Sequence, residues 1–210
     1  MITNAKNGIS SYEISRGLGI TQKSAWFLLH RVRLAMQDQS IDKFTGQIEA
    51  DETFIGGKAR NMHASKRKAK IQGRGAIGKA IVMGVLERHG KVRATVVGEH
   101  TLQNEIRNNV EPGAELFTDE FTGYRGLADE FLHRVINHAE AYVNGHIHTN
   151  GIENFWSLFK RCLKGTYIAV MPFHLFRYVD EEAFRFNFRK STDQLRFLAV
   201  CQQIIGRRLT

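Results

Sequence analysis

The chain changes its hydrophobic period part-way along, and that change limits the fold more than any other feature of the sequence. Between Ser10 and Met36 apolar residues recur at helical spacing, whereas from Gln47 the period shifts toward two: Gln47 to Ile55 reads as a strand, and Lys79 to Glu87 and Lys91 to Glu99 as two more. Arg88-His89-Gly90 separates the last two stretches and predicts a tight hairpin. Thr101 then caps a helix with Leu102, Ile106 and Val110 at fourfold spacing, closed by Pro112-Gly113. Ala114 to Thr118 reads as a short buried strand, Tyr124 to Phe131 as a helix and His133 to Ile136 as a strand. After a stretch rich in Asn and His, Thr149 caps a strongly amphipathic helix with Ile152, Phe155, Trp156, Phe159 and Leu163 inward, stopped by Gly165. Pro172 opens a helix to about Lys190, and Asp193 to Arg208 forms the last. Three strands, helix, strand, helix, strand, long helix is the order of an α/β domain with a mixed five-stranded sheet and helices on its faces. The chain therefore divides into a helical segment over 1–42, an α/β domain over 46–192 and a C-terminal helix over 193–210.

The helical segment reads as helix-turn-helix. Ile14, Leu18 and Ile20 pack against Ala25, Leu28, Leu29 and Val32 across a glycine turn, with Thr21 as N-cap of the second helix. That leaves Gln22, Lys23, Arg31 and Arg33 for DNA. A plain helical hairpin is the alternative, because tri-helical DNA readers carry a further helix and only nine residues precede Ser10.

Charge points the same way. Thirty Lys and Arg against twenty-one Asp and Glu give +9 and a pI near 9.8, favouring a polyanionic partner. Lys58, Arg60, Lys66, Arg67, Lys68, Lys70, Arg74 and Lys79 all fall between Thr53 and Leu86 with no acid among them, a run suited to a phosphate backbone or to a solvated loop. No apolar run reaches the ~18 residues of a membrane span, and Met1 to Asn7 has no apolar export segment, so a cytoplasmic, nucleoid-associated location is expected. Cys162 and Cys201 are the only cysteines, which excludes a disulfide framework and a four-cysteine zinc module within these residues.

The order of elements resembles that of ribonuclease H-like domains, in which the first and fourth strands are neighbours. Asp51 lies in the first strand among residues expected to be buried, where a charge requires a hydrogen-bonded partner or a cation. Asp119 ends the fourth strand, and Glu153 lies one turn into the long helix. Each acid alone is more commonly a cap, a strand-end turn or an ion-pair partner. Three from separate elements meeting at one sheet edge suit hard divalent cations, two of which at about 3.5–4 Å can clamp an in-line phosphoryl displacement. Lys160 follows Glu153 by two helical turns on the same face and is placed to hold a DNA phosphate, or to complement a helix C-terminus.

These residues resemble the DDE transposases of bacterial insertion sequences, in particular the ISXO-type group. The resemblance runs through Ile48-Glu49-Ala50-Asp51-Glu52-Thr53-Phe54-Ile55-Gly56-Gly57-Lys58, Thr118-Asp119-Glu120-Phe121-Thr122-Gly123-Tyr124, and His148-Thr149-Asn150-Gly151-Ile152-Glu153-Asn154-Phe155-Trp156-Ser157-Leu158-Phe159-Lys160-Arg161. It continues into His174-Leu175-Phe176-Arg177-Tyr178 and covers roughly Gln47 to Lys190. It implies a ribonuclease H-like catalytic domain with Asp51, Asp119 and Glu153 as metal-binding acids, Lys160 as the trailing lysine, and Mg²⁺ or Mn²⁺ as a pair of cofactor ions. Some members carry Asn as the third residue, which makes Asn150 and Asn154 alternates; charge favours the carboxylate. Full-length members have a cysteine zinc ribbon ahead of the helix-turn-helix, so the resemblance implies an N-terminally shortened chain. The implied activity is hydrolysis of a phosphodiester at each element end, followed by attack of the freed 3′-hydroxyl on target DNA, with double-stranded DNA as partner and at least a homodimer in the complex. Arg161 joins the basic residues expected at DNA. A non-catalytic relic that occupies element ends or inhibits full-length transposase, and a structure-selective nuclease on the same fold, are the alternatives.

Three other signals are set aside. Gly73-Arg-Gly-Ala-Ile-Gly78 matches a dinucleotide fingerprint but precedes a strand instead of a helix. His174, Arg177 and Tyr178 lack the downstream tyrosine of a covalent recombinase, and a helix packing Phe173, Phe176, Phe184 and Phe188 accounts for them better. His138, His146 and His148 fit no closed zinc site and are expected as polar loop or cap residues.

Overall fold

A computed structural model describes residues 1–57, 63–65, 78–97, 102–120, 122–124, 126–136, 148–168 and 170–205. Strands β1 (Gln47–Ile55), β2 (Ala80–Glu87), β3 (Val92–Val97), β4 (Glu115–Asp119) and β5 (Leu132–Ile136) form one sheet in the order β3-β2-β1-β4-β5. β1 pairs antiparallel with β2 and β2 with β3, while β1–β4 and β4–β5 are parallel. This is the ribonuclease H-like arrangement expected from the element order, with the first and fourth strands adjacent. Arg88-His89-Gly90 forms the hairpin, and His89 takes a positive φ of 63°.

Period-two alternation supplies both faces of the sheet. On one side Ile48, Ala50, Val85 and Leu116 pack with Ile106 of α3 (Leu102–Asn109), Tyr124, Leu127 and Phe131. The helix expected over Tyr124 to Phe131 is instead a 3-10 turn, Thr122–Tyr124, followed by turns. Its apolar residues fill the core from an irregular segment, a packing that periodicity alone does not distinguish from a helix. Thr101 lies outside the described residues.

The other face is covered by α4 (Asn150–Cys162) and α5 (Leu175–Asn187). Ile152, Phe155, Trp156 and Phe159 on α4 are buried against Val82, Leu86, Val179 and Phe186, each large apolar side chain contributing about 1.5–3 kcal/mol. Gly165 does not stop this helix: the chain widens into a π turn over Leu163–Tyr167. Pro172 opens a 3-10 turn, Pro172–His174, before α5 begins. Asn187 pairs its side-chain amide with both the N–H and the carbonyl of Val92, extending the hydrogen bonding of β3 beyond its partner strand.

Helices α1 (Ser11–Leu18) and α2 (Gln22–Met36) are two consecutive helices joined by a short turn. Ser10 and Thr21 cap them by accepting from Glu13 and Ser24 N–H groups, and Gly19 turns the chain in the left-handed region at φ 64°. Ile14, Ala25 and Leu29 form a core with Phe184 of α5 and Val200 of α6 (Asp193–Ile204), whereas Leu18 and Leu28 are exposed. Among the described residues no helix is long and apolar enough to cross a membrane.

Candidate active site

Parallel pairing between β1 and β4 runs from Gln47–Glu115 to Glu49–Phe117 and ends there. β1 continues beside β2 to Ile55, and β4 continues beside β5 to Asp119. The two parallel strands therefore part at their carboxyl ends, and the same register carried two residues further sets Asp51 level with Asp119. Strand alternation turns both toward the face covered by α4.

Asp51 accepts the backbone N–H of Glu52 at 2.8 Å on Oδ1 and the Trp156 indole N–H at 3.0 Å on Oδ2. Both donors are neutral. Burial, then the charges of Glu52 and Asp119, push its carboxyl up to about 7 against those two hydrogen bonds. Glu52 is raised as well, by burial first, and its Oε2 accepts the Tyr124 hydroxyl at 2.5 Å. Tyr124 ends the turn that follows Asp119, so this bond ties the segment after one acid to the strand bearing the other.

Trp156 reaches Asp51 because Gly84, the β2 residue opposite Asp51, has no side chain: a Cβ there would lie 2.6 Å from the indole and 2.8 Å from Ile152 Cδ1. Gly84→Ala is expected to destabilise the fold by about 1–3 kcal/mol through overpacking and to blue-shift or red-shift Trp156 fluorescence as the indole moves off Asp51. An unchanged emission maximum and an unchanged denaturation midpoint would refute this account.

A family model described as the ISXO2-like transposase domain matches residues 43–187. The chain belongs to this family. No curated protein and no solved structure matched it. In the transposase domain the three expected acids are not equally placed. Asp51 and Asp119 interact, but Glu153 is exposed on α4, with its Oε1 accepting the Thr149 hydroxyl at 3.1 Å. Glu153 precedes Trp156 by one turn. Among the described residues no group of three His, Cys, Asp or Glu is arranged to hold a metal ion. The Asp51 and Asp119 pair suits a hard cation in donor type, since each Asp51 oxygen retains an acceptor position beyond its hydrogen bond.

The start of α4 is held by residues that sequence reasoning passed over. Thr149 makes no side-chain cap bond; instead the buried Glu49 accepts the Ile152 N–H at 2.9 Å on Oε2 and Arg88 Nε at 2.9 Å on Oε1. Arg88 also donates to the His148 carbonyl at 2.6 Å and lies 3.9 Å over the Phe117 ring. The His148 ring nitrogen is 3.4 Å from Glu49, a structural contact. Gly151 makes room for this carboxylate, because a Cβ there would stand 2.7 Å from Glu49 Oε2. A glutamate two residues before the strand aspartate, with a glycine at the helix start, was the available signal.

Lys160, Arg161, Asn150 and Asn154 are exposed on α4, and Lys79, Lys23 and Arg31 are also exposed. Lys58, Arg60, Lys66, Arg67, Lys68, Lys70 and Arg74 lie outside the described residues, as do His138, His146 and most of the glycine fingerprint. Arg33 is not available to DNA: it is 1% exposed and its Nε bonds Glu181 of α5 at 2.6 Å. Gln22 is half-buried and donates to Ser11. Phe173 and Phe176, expected inside, are exposed, while Phe184 is buried and stacks on Phe188.

Proposed function

We propose that the chain is an insertion-sequence transposase that cleaves DNA strands at element ends and joins them to target DNA, using Mg²⁺ or Mn²⁺. The observation that carries this reading is Asp51 beside Asp119 where β1 and β4 part, with neutral donors on Asp51 and acids as its charged neighbours. A desolvated carboxylate with acidic neighbours, as Asp51 is, is stabilised by a cation. Asp51 and Asp119 would hold it, with Glu153 as the third ligand after release from Thr149. Divalent cations there supply Lewis-acid activation of the attacking oxygen and charge relief at the phosphate.

The chain's own residues do the rest. Trp156 fixes the Asp51 rotamer from one side, and the Glu52–Tyr124 bond fixes the segment after Asp119 from the other. Lys160 meets a DNA phosphate two turns beyond Glu153. Lys23, Arg31, Lys79, Arg161 and the basic run over 58–74 grip the backbone, so binding weakens steeply with salt. Two element ends require at least a homodimer. The exposed Glu153 favours a second reading, a DNA-binding relic without cutting activity.

The test uses labelled duplexes cut from the two DNA flanks of the gene, where the reading requires terminal repeats, incubated with the full chain and Mn²⁺. We expect cutting that disappears in Asp51→Asn while DNA binding persists. Binding without cutting in either protein supports the relic, and cutting of branched DNA with no preference for the repeats supports a nuclease.

A further inference from the structure

One surface of the molecule sets exposed rings, unused in the site above, beside Lys23 and Arg31, the cations already assigned to the DNA backbone. Helix α2 carries no acid over Gln22–Met36, and neither does the long stretch from Asn154 to Val179. The two meet where Trp26 and His30 of α2 pack on His174, with ring centroids 5.2 and 5.0 Å away. His30 is pushed down to about 4, by burial first and then by Arg33, His174 and Arg177, so it is a neutral ring in a positive field.

Around this floor stand exposed aromatic side chains, two of them paired with guanidinium groups. Phe27 is 50% exposed with the Arg31 guanidinium 4.7 Å over its ring. Phe173 is 79% exposed at the head of α5, its edge against His174 at 5.0 Å. Phe176 follows, with the Arg177 guanidinium 4.6 Å over it. The loop leading in holds Ile168 at φ 57°, with its side chain exposed.

We propose that this aromatic and basic patch takes DNA with unpaired bases, Phe27 and Phe173 stacking on the bases while Lys23, Arg31 and Arg177 hold the phosphates. Stacking platforms beside cations are what a single strand requires, since every base offers a π face. A second copy of the chain is the weaker occupant. A symmetric contact sets a patch against itself and would bring Lys23, Arg31 and Arg177 against their own equivalents, and neither α2 nor the stretch from Asn154 to Val179 supplies an acid to pair them. The inference rests on the DNA-processing reading and adds to it the state of the DNA recognised.

The experiment measures anisotropy of labelled oligothymidine and of labelled duplex with the full chain over a salt series. Wild type is compared with Phe27→Ala/Phe173→Ala and with Arg31→Gln/Arg177→Gln, all first matched by circular dichroism and melting. We expect the double alanine variant to bind oligothymidine about 5- to 150-fold more weakly per stacked base lost, with its salt slope unchanged and duplex binding nearly so. The double glutamine variant should show a shallower salt slope. Unchanged oligothymidine affinity in the alanine variant overturns this inference and leaves the transposase reading standing. A smaller assembly in sedimentation, with DNA affinity intact, overturns it in favour of the second copy. Failure of wild type to bind either DNA overturns both.

Discussion

Glu181→Ala should lower the free energy of unfolding by about 3–5 kcal/mol in equilibrium urea denaturation, the loss that follows when one partner of a buried charge pair is removed. Glu181 is fully buried on α5, where it accepts from Arg33 at 2.6 Å, from Tyr167 at 2.5 Å and from Arg185. The Arg33 guanidinium lies over the rings of Tyr167 and Tyr178, at 5.0 and 4.2 Å from their centroids, so once its acceptor is gone its charge is left against neutral rings. Arg185 retains Glu182 at 2.8 Å. Replacing both ends, Arg33→Met with Glu181→Leu, removes the stranded charge and should recover much of the loss, because apolar pairs of similar volume substitute well for buried ion pairs. A single-variant loss below about 1 kcal/mol would mean that the pair behaves as a surface bridge, contrary to its burial.

The second large effect is expected from Glu49→Ala, which strands Arg88 and withdraws the acceptor from the first turn of α4. We anticipate a comparable loss of about 3–5 kcal/mol, together with faster hydrogen exchange at the Ile152 amide. Glu49→Gln separates the two contributions: its amide oxygen can still accept the Ile152 N–H, but it offers Arg88 no countercharge. If Gln matches wild type in both stability and exchange, the carboxylate charge is irrelevant to how α4 is seated. Because α4 bears Trp156 and Glu153, a helix that frays at Asn150 also loosens the environment of Asp51.

The strands were legible because alternation is a direct record of a half-buried surface. β1 was bounded correctly over Gln47–Ile55, and the hairpin at Arg88-His89-Gly90 followed from two runs at close spacing. Neighbouring first and fourth strands followed from element order, and with them the meeting of Asp51 and Asp119. The segment after Asp119 misled because Tyr124, Leu127 and Phe131 are core residues at near-helical spacing in a segment of turns. Arg33 misled for a different reason. Its stripe on α2 looks solvent-facing in the helical segment alone, and only α5, more than a hundred residues later, supplies the acid that buries it. Phe173 and Phe176 failed in the opposite direction, since an aromatic at helical spacing is more commonly core. The support around Arg88 and Gly84 was hidden because each residue acts through a partner on another element, which a one-dimensional pattern does not contain.

The Arg33 to Glu181 contact has a consequence for how far apart the molecule can act. A recognition module joined to its catalytic body by a loose tether samples many separations, and the position of a cut then depends on the tether. Here a desolvated ion pair and a shared apolar seam weld α2 to α5, so the span from the exposed side of α2 to Asp51 is built in like the jaws of a fixed gauge. Under the function proposed above, any nucleic acid seated on both would be measured by the protein, and the offset between the segment it reads and the bond it cuts would be a constant of the fold.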